Sequence, residues 1–289
     1  MKSVIILLSF IIPFTGFSHT VLKPATSREV ITSMLSAIEN VKGLKYTFKS
    51  YERLVTGKQF FTEMDIKANI NPLKVYGLTK SDPNKGVEVL FLKGQWEDKA
   101  MVNPGNWLPN VKLSPLGDRM RENQHHTLMQ AGFNFLGSII KGAMKRADTD
   151  RPGQFDAFFK YEGDITWGGR QCYKISIEDP DFKYVEYTVQ AGDNIDNLEV
   201  RKGICGYLII EKNPAVKSFD GLKPGMKIKI PTSYAKKTVL YIDKQSNLPI
   251  VQIMSDEVGE FEKYEFHNLV VNPAFAADEF TPDFSGYDF

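Results

Sequence analysis

The stretch YTVQAGDNIDNLEVRKGICGYLIIEKNPAVKSFDGLKPGMKIKIP, from Tyr187 to Pro231, interrupts a chain whose pattern is otherwise typical of long strands. It is rich in turn-forming glycine, asparagine and proline, and two short helical patterns lie between the turns. When it is left out, QCYKISIEDP before it and KTVLYIDKQSNLPIVQIM after it continue one alternation of apolar and polar residues. The pattern therefore predicts an insert, residues 187–231, within a larger antiparallel sheet.

Two helices accompany the predicted sheet. Thr26 and Glu29 have the spacing of a capping box, and Gly43 follows the apolar positions of this first helix. The second helix is predicted from His126 to Ala147, with one wide apolar face. Its three glycines are expected to let it lie close against the sheet: Gly132, Gly137 and Gly142. Together these patterns predict an α+β fold, a curved antiparallel sheet with two main helices.

Composition and the N-terminal pattern indicate where the protein is located and which classes of partner it can bind. The 289 residues are 42% hydrophobic and carry a formal net charge of +1, which is typical of a globular protein without a broad surface for nucleic acid. Residues 1–18 combine a basic start, a short apolar run and small residues, and so predict a secretory signal peptide. No later stretch predicts a membrane span, so we expect an exported protein of the periplasm or cell envelope that is not integral to the membrane. Its two cysteines, Cys172 and Cys205, are expected to be single buried residues, although a disulfide between them stays open.

The insert resembles a LysM domain, a small βααβ module. Tyr187 and Val189 match its first strand, Gly203 lies between its helices, and LKPGMKIKIP (222–231) matches its closing strand. The resemblance implies binding to peptidoglycan, an N-acetylglucosamine-containing glycan, through the loops that follow the first strand and the second helix. The residues implied as glycan-binding are Gly192, Asp193, Asn194, Ile195, Asn213, Pro214, Ala215 and Val216. A degenerate module that only packs on its host is the alternative.

The host resembles the LolA-like lipoprotein carriers and, more closely, an uncharacterised family of exported bacterial proteins. The early helix, the strand run FTEMDIKANINPLKVYGL and the ending NPAFAADEFTPDFSGYDF carry this resemblance, which covers the predicted host parts 19–186 and 232–289. It implies a half-barrel whose concave side is lined by helices and holds lipid or lipoprotein acyl chains. The expected cavity residues are Tyr46, Phe48, Phe133, Leu136 and Ile140. Alternatively, the glycine-spaced helix only fills the core.

Motifs for catalysis are missing from the sequence. It contains no His-Glu-x-x-His stretch and no Gly-x-Ser-x-Gly elbow, and neither cysteine has the setting of a nucleophile. His125 and His126 stand at a predicted helix start, where we expect solvated or capping side chains. We therefore predict no catalytic residue, no metal site and no cofactor.

The sequence as a whole predicts a non-enzymatic cell-envelope protein that binds peptidoglycan through its insert and a lipid or lipoprotein in its host. Two alternatives stay open: a wall-anchored scaffold for another protein, and a cell-envelope hydrolase with an unrecognised site.

Overall fold

The computed structural model describes residues 25–105 and 107–289. The predicted signal peptide, residues 1–18, lies outside this part of the chain. The α-helices are α1 Ser27–Glu39, α2 Asn134–Thr149, α3 Phe155–Phe158, α4 Ile195–Lys202 and α5 Gly206–Lys212, and two short 3-10 helices span Trp96–Asp98 and Leu128–Gln130.

Strands are the predominant secondary structure of the described chain, which confirms the predicted α+β class. They are β1 Gly43–Arg53, β2 Gln59–Asn69, β3 Lys74–Thr79, β4 Glu88–Leu92, β5 Ala100–Asn103, β6 Val111–Leu113, β7 Phe159–Trp167, β8 Arg170–Glu178, β9 Tyr184–Thr188, β10 Lys227–Pro231, β11 Lys237–Asp243, β12 Pro249–Ser255 and β13 Glu260–Val271. Among the described residues, eleven of them form one antiparallel sheet in the order β6-β5-β4-β3-β2-β1-β13-β12-β11-β8-β7. The sheet is not closed, because β6 and β7 form its two edges.

Helix α1 begins as its capping box predicts. The Thr26 hydroxyl accepts a hydrogen bond from the Glu29 amide, and the Glu29 carboxylate accepts one from the Thr26 amide at 2.8 Å. Two orphan amide donors of the first turn are thereby satisfied, which fixes where the helix starts. Its apolar stripe is buried in the main core, with Ile31 and Met34 at 0% exposure.

Helix α2 is shorter than predicted at its N-terminal end. It begins at Asn134 rather than at His126, because Gly132 takes a φ of +92° and breaks the helical path. Upstream, Thr127 caps the separate 3-10 turn Leu128–Gln130. Gly137 does not approach the sheet, contrary to the prediction. It lies against α1 instead, because a Cβ at this position would be 3.4 Å from Ile38. This glycine therefore sets the distance between two helices.

The stretch between β8 and β11 forms β9, α4, α5 and β10, and β9 pairs with β10 in a separate two-stranded sheet. β8 and β11 are themselves neighbours in the large sheet, so the chain leaves that sheet and returns beside its point of departure. The apolar residues of the stretch, however, belong to the same buried cluster as those of α1 and the large sheet. The members of that cluster from the insert include Val189, Ile195, Leu198, Leu208, Ile209, Val216 and Ile228.

The C-terminal segment, residues 273–289, packs on β3 and β4. Tyr287 stacks on Tyr76 with ring centroids 3.7 Å apart, and Phe280 joins Leu90 and Leu92 in a second apolar cluster. Because side chains alternate along a strand, Tyr76 points away from the face that carries Val75 and Gly77. One face of these strands is thus covered by the C-terminal segment, and the other is left for the site described next.

Edge strand β7 is irregular. Its pairing with β8 changes register between Tyr161 and Asp164, where Gly163 has a φ of +98°. Lys160, Glu162 and Asp164 are exposed along it.

Candidate functional site

A cavity of about 300 Å³ lies between the large sheet and the segment that leads into α2. We call residues 119–132 the covering segment. It contributes residues such as Met120, Gln124, Leu128 and Ala131, and the first turns of α2 contribute Phe135, Leu136 and Ile139. The sheet wall consists of alternate residues of neighbouring strands, among them Tyr46, Phe48, Ser50, Glu52, Thr62, Met64, Ile66, Tyr264 and Phe266.

Residues that pair across neighbouring strands form rows on this wall. Successive rows along β1 change from apolar to polar. Phe48 pairs with Met64 on one side and with Phe266 on the other, which makes one row apolar. Two residues further along β1, Ser50 is flanked by Thr62 and Tyr264. After a further two residues Glu52 pairs with Glu262. The cavity therefore has an apolar end and a polar end.

The polar end is tied together by hydrogen bonds. The Tyr264 hydroxyl donates to Glu52 at 2.7 Å, and the backbone amide of His125 donates to the other oxygen of the same carboxylate at 3.2 Å. The His126 ring, which lines the cavity, has Nδ1 2.9 Å from the Gln130 side-chain oxygen. Polar groups of the covering segment are thus fixed to polar groups of the sheet.

Behind this end lies a buried cluster around Glu262, which is 0% exposed. Its Oε1 is 2.8 Å from His125 Nδ1 and 3.5 Å from Cys205 Sγ. Its Oε2 accepts a hydrogen bond from the Tyr234 hydroxyl at 2.8 Å. The cluster joins β13, the residues before α2 and the insert.

The charges of this cluster stabilise one another. Burial alone disfavours the charged form of His126, but the Glu262 carboxylate, 3.5 Å from its Nε2, raises the pKa of His126 to about 9. Burial likewise opposes ionisation of Glu262, yet the two neighbouring imidazoles hold the pKa of its carboxyl well below the usual range. A positive imidazolium therefore lies at the polar end of the cavity.

The expected solvent exposure is wrong for His125, whereas the side chain of His126 is 19% exposed. His125 is 1% exposed and stacks on Tyr207 of the insert, with ring centroids 3.8 Å apart. The prediction rested on a helix start at residue 126, whereas α2 begins eight residues later. The partners of His125 come from β1, β13 and the insert, far away in sequence, and no local pattern marks them.

The five predicted cavity residues divide into two groups. Tyr46, Phe48 and Leu136 line the cavity, whereas Phe133 and Ile140 are 2% exposed in the core and do not line it. Phe135 and Ile139 lie on the cavity side of α2 instead. The apolar face of this helix is wide enough to contact both the core and the cavity, so its sequence pattern does not distinguish the two sides.

Of the predicted glycan-binding residues, four are exposed: Gly192, Asn194, Pro214 and Ala215. Ile195 and Val216 are core residues of the insert. Asp193 accepts hydrogen bonds from the Tyr187 hydroxyl and the Gln190 amide and pairs with Arg201, and these contacts lower the pKa of Asp193 to about 2. Their role in glycan binding stays a prediction.

Asn213 and Asn194 both have structural partners. The Asn213 side chain donates to the Ile209 and Lys229 carbonyls and accepts from the Lys229 amide, which fastens the end of α5 to β10. Asn194 caps α4 through the amide of Asn197 at 2.8 Å. Both side chains therefore serve the local fold of the insert first.

The two cysteines are buried and unpaired, which confirms the expectation of single buried residues. Within residues 25–105 and 107–289, no helix is both long and apolar enough to cross a bilayer.

Comparison with known proteins identifies a family. The family model DUF1571, protein of unknown function, matches residues 41–196, just over half of the chain. No curated protein matches this sequence.

Among solved structures, the lipoprotein LppX of Mycobacterium tuberculosis is 13% identical, with 86% of this chain and 97% of that chain covered and a TM-score of 0.39. LprF of Mycobacterium bovis is 10% identical, with 88% and 96% covered and a TM-score of 0.41. The LolA superfamily protein NE2245 of Nitrosomonas europaea is 10% identical, with 89% and 98% covered and a TM-score of 0.37. Likeness at this level does not bear on what the present chain binds.

Proposed function

This chain belongs to the DUF1571 family of proteins of unknown function, and we propose that it binds an amphiphile, a lipid or the acyl chain of a lipoprotein, in the cavity beneath its covering segment. The observation that carries the proposal is the change from apolar to polar rows along β1. An acyl chain would lie against the row of Phe48 and Met64, and the polar group would lie at the row of Ser50 and Thr62.

The size and lining of the cavity support this assignment. Its volume of about 300 Å³ is at the small end of the usual range for ligand pockets, about 300 to 1,000 Å³. Each methylene group that moves from water into an apolar site contributes about 0.8 kcal/mol, so a chain of even moderate length gains substantial binding energy. Phe48, Met64 and Ile66 line the cavity and are only half-buried, so they have apolar surface available for a ligand.

We further propose that this binding role is non-enzymatic and that the protein acts in the cell envelope, as its N-terminal sequence pattern predicts. The strongest nucleophile near the polar end, the Cys205 thiol, is 1% exposed, and burial raises the pKa of that thiol well above its ordinary value. Reactive cysteines have the opposite environment, accessible and with a lowered pKa.

Native mass spectrometry after gentle purification, followed by displacement with a fluorescent long-chain fatty acid, tests the lipid proposal. Met64→Glu adds a charge to the apolar row, and Val270→Glu adds the same charge to an exposed strand position that does not line the cavity. We expect Met64→Glu to lose bound lipid and to weaken fatty-acid binding at least about tenfold, while Val270→Glu behaves as the parent. Equal binding by both folded variants, or no lipid and no fatty-acid binding by the parent, would exclude the cavity as a lipid site.

A second candidate function is peptidoglycan binding by the insert. The observation that favours it is the βααβ order with the paired strands β9 and β10, together with exposed residues in both predicted loops. A pull-down of the whole protein on purified sacculi tests it. We expect Ala215→Trp to reduce binding and Lys217→Trp, an exposed neighbour outside the predicted loops, to leave it unchanged. If the parent does not sediment with sacculi, or if Ala215→Trp does so equally well, the insert is only a packing element.

A further inference from the structure

Three kinds of metal-ligating atom meet in the buried cluster behind the cavity. His125 Nδ1, Cys205 Sγ and a Glu262 carboxylate oxygen all lie within 4.8 Å of one another, and all three residues are buried. A fourth donor, His126 Nε2, lies 3.5 Å from the same oxygen, Glu262 Oε1. Nitrogen, sulfur and carboxylate oxygen together are the ligand set that Zn²⁺ takes in proteins.

The groups around these atoms already hold them in ligating orientations. His125 Nε2 donates to the Arg53 carbonyl at 2.9 Å, which leaves Nδ1 as the ring nitrogen that faces Glu262. The second oxygen of Glu262 accepts from the Tyr234 hydroxyl, so Oε1 is the oxygen directed at the other donors. The Cys205 thiol donates a hydrogen bond to this same oxygen at 3.5 Å, so its sulfur is also directed at the centre of the cluster. Metal ligands in proteins are typically oriented by such outer hydrogen bonds.

We propose that this cluster is a structural Zn²⁺ site, with His125 Nδ1, Cys205 Sγ, Glu262 Oε1 and His126 Nε2 as ligands. Zinc bonds of about 2.0 to 2.3 Å in a tetrahedron place ligand atoms about 3.3 to 3.8 Å apart. Both contacts of 3.5 Å fall within this range, and the 2.8 Å contact between His125 and Glu262 must open by about 0.5 Å.

Charge balance favours the same ion. One thiolate, one carboxylate and two neutral imidazoles around Zn²⁺ make a neutral centre, which suits a site that is closed to water. On binding, the Cys205 thiol and the imidazoles release protons to solvent, and the His126 nitrogen exchanges its 3.0 Å contact with the Tyr234 hydroxyl for the metal. Because His126 also lines the cavity, the cavity supplies the path by which the ion enters.

The site would join two parts of the chain. Cys205 comes from the insert, immediately before α5, whereas Glu262 lies on β13 and the histidines precede α2. An ion held by all of them fixes the insert to the host and adds its binding free energy to folding.

The two cysteines of the chain offer a matched test. The whole protein is stripped with a chelator and titrated with Zn²⁺, then with Co²⁺ as a spectroscopic probe of thiolate ligation. We expect one Zn²⁺ per chain, a higher melting temperature with the metal, and a thiolate-to-cobalt charge-transfer band. Cys205→Ser should lose this band, and Cys172→Ser, equally buried but in β8, should keep it.

A milder variant covers the case in which Cys205→Ser does not fold. Tyr234→Phe keeps all four ligands and removes the hydrogen bond to Glu262 Oε2, together with the contact to His126 Nε2 that zinc would displace in any case. We expect zinc affinity to fall about 10- to 100-fold with the cobalt band preserved. Substoichiometric zinc in the parent, a cobalt band that survives in Cys205→Ser, or unchanged affinity in Tyr234→Phe would each overturn the proposal. In that case the cluster is a hydrogen-bonded network alone.

Discussion

Two helical glycines of this chain differ in how much space surrounds their Cα atoms. Gly142 lies inside α2, and a Cβ there would meet nothing nearer than Arg146 Nη1 at 3.8 Å. Gly206 begins α5, and its Cβ would lie 2.7 Å from Ile195 Cγ2, a fully buried neighbour. One position tolerates a side chain, and the other does not.

We therefore expect Gly142→Ala to raise the free energy of unfolding by about 0.5 to 1 kcal/mol, because alanine has the better helix propensity. Gly206→Ala should lower it by about 1 to 3 kcal/mol, because the added methyl overpacks the insert core. Urea unfolding of both variants measures the two changes. A loss of stability in Gly142→Ala would show that this glycine has a role the packing does not reveal.

Individual residues also show where sequence reasoning succeeds and where it fails. Thr26 and Glu29 are three residues apart, and each side chain hydrogen-bonds to the backbone of the other residue, so their pattern predicts the helix start correctly. His125 and Glu262 are 137 residues apart, and only the strand order brings them together. Phe133 and Leu136 have the same apolar character and both lie in the core, yet only Leu136 of the two also lines the cavity. The residue type is visible in the sequence, whereas the partner is set by the fold.

At the scale of elements, the buried carboxylate of Glu279 helps to fasten the C-terminal segment to the sheet. Glu279 has a side-chain exposure of 4% and pairs with Lys45 at 2.7 Å and Lys67 at 3.0 Å, two lysines on adjacent strands. It also accepts a hydrogen bond from the Ala276 amide. Burial opposes its ionisation, but the two ammonium groups and the amide hold the pKa of Glu279 below its usual value.

A carboxyl whose pKa is depressed in the folded state stabilises the fold above the unfolded pKa, about 4.3, and that stabilisation is lost as the pH falls through the folded pKa. We expect Glu279→Gln to increase hydrogen exchange of residues 273–289 at pH 7, with the difference from the parent vanishing in acid. Asp278→Asn, at the exposed neighbouring position, is the control and should change little. An equal effect of both substitutions would indicate that Glu279 does not fasten the segment.

For elements as for residues, the sequence is informative where the pattern is local. β9 begins three residues before the predicted start of the insert, and its pairing with β10 brings the two ends of this stretch together. The attachment of the insert to its host is not predicted, since it depends on contacts such as Arg53 with Glu211 and Tyr207 with the Val55 amide. Those contacts make the insert part of the core.

At the scale of the whole molecule, host and insert are expected to unfold together. The pattern alone suggests that removal of residues 187–231 leaves the host folded, but the structure changes that expectation. Removal would leave Glu262 without its Cys205 contact and His125 without its stacking partner Tyr207. It would also remove Glu211, an ion-pair partner of Arg53, whose side chain is only 10% exposed.

We expect the deletion to abolish the cooperative thermal transition, since removing one partner of a buried ion pair costs about 3 to 5 kcal/mol and a domain has only about 5 to 15 in total. A point variant tests the contribution of this ion pair without removing the insert. Arg53→Gln should cost about 3 to 5 kcal/mol, whereas Lys212→Gln, which breaks a more exposed pair with Glu257, should cost less than about 1. Circular dichroism on heating measures all three. A deleted protein with an unchanged sharp transition would make the insert an autonomous module.

The irregular edge strand β7 bears on how the protein self-associates at high concentration. Open sheet edges recruit strands from neighbouring copies and so seed aggregation. β6 offers only three residues for such growth, but β7 offers nine. Its break in register at Gly163 and its exposed charges, Lys160, Glu162 and Asp164, disrupt the row of backbone groups that an incoming strand would need. We therefore expect the chain to resist fibril-like self-association although its sheet is open.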